Sequence, residues 1–215
     1  MKAMLYADWM NFRQTLKSLL FMIIVFAVAA FMWSGPSFFC MIVVMVSIMV
    51  PLTLCSADKA YGWDRLSLSM PILRRDVVGS KFVLSGLSSV LMTVVGCVLS
   101  AVYCVIDRTS VLMENINAML ICEAVALVLM GIILTAAVKW GIEKARYIMM
   151  ACVWIPIIAV FLLSKLDFPK PDLRWLNNVS GTQLTLVALA LIGVGLLVYL
   201  CCYAVSLRIY QKTEL

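Results

Sequence analysis

One side chain stands out for chemistry: Glu123, a carboxyl group set in the apolar run Leu120-Ile121-Cys122-Glu123-Ala124-Val125. An ionisable group inside hydrocarbon is costly, so it marks either a structural contact or a path for cargo. Of the 11 acidic residues, Glu123 alone lies within an apolar span. It falls five residues into that span, near the outer interface, where it could snorkel or meet water. An intramembrane protease or lipid transferase needs several convergent polar groups, so an intramembrane enzyme using Glu123 is the weakest rival reading. Histidine is absent, which removes histidine-based acid–base catalysis and most metal sites. The 8 cysteines (Cys40, Cys55, Cys97, Cys104, Cys122, Cys152, Cys201, Cys202) form no C-x-x-C pair and read as small buried hydrophobes. Gly79-Ser80-Lys81 lacks the upstream glycine and preceding strand of a phosphate loop. The chain is therefore expected to hold no catalytic site, metal or cofactor, and to draw any energy from a partner.

The elements that carry these groups follow from composition. Hydrophobic residues make up 65% and charged residues 13%, with a mean hydropathy of +1.07. A soluble globule could not cover so much apolar surface, so the bilayer is the solvent. A hydrocarbon core of about 30 Å needs roughly 17–25 apolar residues per helix. Six stretches qualify within a few residues at each end, the first short and the third long enough to tilt: 18–33, 38–55, 82–106, 118–138, 147–164 and 183–205. Strand-like alternation is missing from them, which argues against a β-barrel. The expected fold is an all-α integral membrane protein of six helices in one transmembrane domain. Thirteen of the 17 Lys and Arg residues fall on one side of that layout. By the positive-inside rule this side is cytoplasmic, with both termini on it. The net charge of +6 is mostly this topology signal, since no basic run suggests nucleic acid. Ala27-Val28-Ala29 resembles a cleavage site, but Asp8 and the long preceding segment favour a signal anchor. Pro156 is read as the one mid-span proline, and a lone proline kink is common in membrane helices.

Three cytoplasmic segments carry a pattern. Leu5, Trp9, Phe12 and Leu16 share a helical face, predicting an interfacial amphipathic helix on membrane lipid, or else a plain extension of the first span. In the loop 56–81, Pro71 suits a first helical turn, and Leu73, Val77 and Leu84 share one face while Arg74 and Lys81 share another. That is a short charged amphipathic helix, fit either to dock a soluble partner or merely to hold positive charge inside. Lys139 to Arg146 reads as a simple charged turn. Within the third span, Ser85, Ser89, Thr93, Gly96 and Ser100 form a small polar stripe, suited to close helix packing or to the edge of a pathway. Gly193 and Gly195 suit close packing too.

The order of parts resembles the ABC type-2 exporter permeases, in particular small bacterial six-span members. The opening Leu5-Tyr6-Ala7-Asp8-Trp9 before a basic stretch is similar to that family's start. So is the run from Trp63 to Lys81, with Met70-Pro71-Ile72, Arg74-Arg75-Asp76, Val77-Val78 and Ser80-Lys81-Phe82. Gly79 departs from the pattern and is expected to weaken this helix by about 1 kcal/mol relative to alanine. The resemblance implies a multi-pass bacterial plasma-membrane permease that forms a pathway as a dimer with a second permease subunit. It implies a separate ABC ATPase subunit, which holds the ATP and magnesium, and a cargo that is an amphipathic peptide, drug or lipid-like molecule. It also implies ATPase coupling through Pro71, Arg74, Arg75, Asp76 and Lys81, with Lys139 to Arg146 as a secondary contact. A non-transporting membrane adaptor or immunity protein is the rival expectation.

Overall fold

The structure is a computed structural model describing residues 37–60, 74–107, 112–165 and 181–212, with eleven helical positions between Trp9 and Val28. Every described residue except Gly141 is helical. The long helices are α1 (Ser37–Ala60), α2 (Arg74–Asp107), α3 (Leu112–Trp140), α4 (Ile142–Lys165) and α5 (Gly181–Lys212). Among the described residues four helices are long and apolar enough to cross a membrane: α1, α2, α3 and α5. The expected first and fifth spans are not among these four. The fifth coincides with the 24-residue α4, and the first falls on residues described only in part.

Helix α3 forms the centre, touching α1, α2, α4 and α5, with its longest contact along α5. Burial on α2 follows from its two unlike faces. Val83, Leu87, Val90, Val94, Val98 and Val105 are exposed at helical spacing, while Ser80, Ser85, Ser89, Thr93 and Ser100 are buried. Lipid solvates the apolar side as well as protein could, so association relies on close approach and hydrogen bonds. The polar stripe is thus the packing face. Three of its hydroxyls bond the carbonyl one turn back: Ser80 Oγ to Val77 O at 3.0 Å, Ser89 Oγ to Gly86 O at 2.9 Å and Ser100 Oγ to Cys97 O at 2.9 Å. Small residues set the spacing between helices. A Cβ at Gly96 would stand 2.6 Å from Val43 Cγ2, and one at Gly195 would stand 3.0 Å from the Ala124 carbonyl oxygen. Gly193, by contrast, has nothing within 4 Å, so only one of the two glycines expected to pack closely does so.

Two expectations change. The charged segment 74–81 is not a short separate helix but the first two turns of the 34-residue α2, which continues through the third span. Nothing between Arg74 and Phe82 breaks a helix, and Gly79 is buried against neighbours that offset its weak propensity. A second proline, Pro51, lies inside α1 besides Pro156 in α4; both are tolerated because packing neighbours stabilise membrane helices. The α3–α4 connection is a single residue, Gly141, at φ +83°, a conformation that favours glycine. Lys59, Arg75, Lys81, Lys139, Lys144, Arg146 and Arg208 gather where α1, α3 and α5 end and α2 and α4 begin.

Candidate functional site

The polar stripe of α2 meets Glu123 of α3 in the middle of the bundle. Ser89 Oγ donates to Glu123 Oε1 at 2.8 Å and Thr93 Oγ1 to Oε2 at 2.7 Å, so the carboxylate straddles one turn of α2. Ser85 is buried on the same face but makes no bond to Glu123. Glu123 itself is only 5% exposed. It is enclosed by protein on the face that meets α2. Helix α3 begins at Leu112, ahead of the apolar run, because Glu114, Asn115 and Asn117 lower hydropathy without ending a helix. Glu123 then lies about 16 Å along a helix of about 43 Å, at 1.5 Å per residue. Ser89 and Gly195, which touch this layer, are likewise near the midpoints of α2 and α5. Beside the carboxylate, α2, α3 and α5 leave an open groove of about 500 Å³, walled by Val94, Val98, Leu120, Leu127 and Leu196 as well as Thr93 and Glu123.

The basic end of the bundle is organised around the helices that flank the loop. Lys81 of α2 forms an ion pair with Asp58 of α1, whose side chain is 3% exposed. Asp58 sits near the negative end of the α1 dipole and therefore needs a cation close by. Hydropathy reading passed over this residue; an acid in the last turn of an apolar helix is the signal that could have found it. Lys59 reaches Glu143 of α4 at 2.7 Å, which ties the end of α1 to the α3–α4 turn. Hydrogen bonding and charge from Lys59 hold the Glu143 carboxyl below its ordinary range. Phe82 packs against Tyr199 and Tyr203 with ring centroids 5.2 and 5.3 Å apart, and Tyr199 OH donates to Phe82 O at 2.7 Å.

Of the residues expected to couple, Arg74 opens α2, Arg75 is exposed and Asp76 is half-buried. Lys81 is turned inward to Asp58. Pro71 lies outside the described residues, as do Leu5 and Phe12; Trp9 is helical and 44% exposed.

A family profile described as ABC-2 family transporter protein matches residues 3–211, nearly the whole chain. The chain belongs to the ABC-2 transporter family. It is a permease and a multi-pass membrane protein, and its apolar helices are the transmembrane part of an ABC transporter. No curated protein matches this permease.

Proposed function

We propose that this permease is the transmembrane subunit of an ABC exporter in a bacterial plasma membrane, working as a dimer with a second permease subunit. It crosses the membrane six times, both termini are cytoplasmic, and a separate ATPase subunit carries the ATP and magnesium. The cargo is an amphipathic peptide, drug or lipid-like molecule, and no reaction takes place on the permease itself.

The observation that carries this reading is the construction of the loop's exit. Helix α2 runs for about 51 Å, well beyond a hydrocarbon core of about 30 Å. Its first turn presents exposed Arg75 beyond the membrane, while buried Val77, Val78 and Ser80 lock the next turn into the bundle. Asp58 and Lys81 join the two helices that flank residues 61–73. A soluble motor pressing there would move α1 and α2 together instead of bending a free loop. Pro71, Arg74, Arg75 and Asp76 are then contact residues, and Lys81 works from inside. The paired substitution Arg74→Glu/Arg75→Glu should abolish ATPase co-purification or uncouple ATP turnover from transport, with the melting temperature unchanged. Unchanged association and unchanged transport would refute the assignment.

A further inference from the structure

Resting only on the cytoplasmic placement of the basic end in the permease reading, we propose that the corner between the end of α1 and the start of α4 binds the phosphodiester headgroup of an anionic phospholipid. Three observations lead to it. Ser56, Lys59 and Ala60 of α1 and Ile142, Glu143 and Arg146 of α4 line a cavity of about 240 Å³. Drug-sized ligands occupy about 300–1,000 Å³, so this corner suits a headgroup and not a whole cargo molecule. Next, its walls carry two cations, Lys59 and Arg146, against one carboxylate, Glu143, which leaves one positive charge in excess. Lys59 bonds Glu143 at 2.7 Å. Arg146, one turn further along α4, attracts the same carboxylate but forms no ion pair among the described residues. Finally, the corner lies at headgroup depth. Exposed Tyr147, Met150, Trp154 and Ile158 follow Arg146 along α4 at helical spacing, so the lipid-facing surface begins where the cavity ends. Just before the turn, Trp140 is exposed with Lys139 Nζ 4.6 Å from its ring centroid, an aromatic of the kind that settles at the membrane interface.

The two walls are held together from below. Ala145 is fully buried and packs with Leu52, Ile133 and Ala136, which joins α1, α3 and α4 beside the cavity. Basic pockets between transmembrane helices on the cytoplasmic side take anionic headgroups. A phosphodiester brings the one negative charge that neutralises the excess, and its acyl chains then cover the strip from Tyr147 to Ile158. Free phosphate offers the same charge but leaves that strip uncovered. A zwitterionic lipid covers the strip but, having no net charge, gains less from Lys59 and Arg146. Charge and apolar surface together therefore select the anionic lipid.

The test uses the full-length permease in detergent, with and without its ATPase, and native mass spectrometry to count bound lipid. The probes are phosphatidylglycerol and phosphatidylcholine with the same acyl chains. Wild type should bind its first phosphatidylglycerol about fivefold more tightly than phosphatidylcholine, the effect of one positive charge near the membrane surface. Arg146→Gln should remove that preference and Arg146→Lys should keep it. Arg208→Gln, which takes an exposed charge from the end of α5, should leave it unchanged. Excess inorganic phosphate should not displace the lipid. Equal binding of the two lipids, an equal loss in Arg208→Gln, or displacement by inorganic phosphate overturns the proposal. So does release of the lipid when the ATPase binds, which would make the corner a contact of the motor. If no ATPase associates at all, the permease reading fails while a lipid preference dependent on Arg146 still stands.

Discussion

The ion pair between Asp58 and Lys81 should be worth far more to this molecule than an ordinary surface bridge. Exposed pairs contribute about 0–1 kcal/mol, but here the side chains are 3% and 14% exposed. Removing one partner of a buried pair strands the other charge and costs about 3–5 kcal/mol. With Lys81 slightly exposed, the lower end applies, about 3 kcal/mol for either Asp58→Asn or Lys81→Met. For a chain of this length that lowers the melting temperature by about 6–12 °C. The double variant strands no charge, so it should lose about 1–2 kcal/mol instead of the sum of both singles. Tryptophan fluorescence during thermal unfolding in detergent measures all four proteins. Because the pair joins the helices on either side of the loop, each single variant should also lower transport per ATP hydrolysed. Losses below about 1 kcal/mol in the singles, or full additivity in the double, would refute the claim that this pair clamps the hairpin.

Two further outcomes are expected. Gly195→Ala brings a methyl to 3.0 Å from the backbone of Ala124, whereas Gly193→Ala meets nothing within 4 Å. Alanine gains up to about 1 kcal/mol of helix propensity at either position, and overpacking subtracts about 1–3 kcal/mol at Gly195 alone. Gly193→Ala should therefore unfold at higher temperature than Gly195→Ala, and equal melting temperatures would remove the close approach of α3 and α5. The Lys59–Glu143 pair should act on pH dependence. Because the Glu143 carboxyl titrates below its ordinary range when folded, the pair's stabilisation is present above about pH 4.3 and fades as pH falls through the lower folded value. Melting curves of wild type and Glu143→Gln should differ slightly at pH 7, less at high salt, and converge once the pH is low enough to protonate the folded Glu143 carboxyl. A gap that persists at that pH would contradict it.

Hydropathy made most of the bundle legible, because apolar runs of span length have no other explanation at this composition. It located the cores of α1, α2, α3 and α5 but placed their ends too far inward. Asp58 and Lys59, Arg74 to Asp76, Glu114 to Asn117 and Arg208 lower the apolar average while continuing the helix. Those short bounds detached the coupling segment from α2. The stripe of Ser85, Ser89 and Thr93 was visible as a packing face, since its spacing is a property of one helix. Its bond to Glu123 was not, because it depends on the register between helices more than 30 residues apart in sequence. The same holds for Asp58 with Lys81 and for the groove, each of which exists only once α1, α2, α3 and α5 have been brought together.

The central claim is that a soluble ATPase grips the permease at the start of α2. A photo-crosslinking amino acid in place of Arg75, activated in intact membranes that contain both proteins, tests this at the residue itself. A crosslink to the ATPase that forms at Arg75 and is missing from lipid-facing Leu87 is the predicted result. Reaction of the Arg75 position with a membrane-impermeant reagent added outside the cell, and no crosslink to the ATPase, would contradict the account.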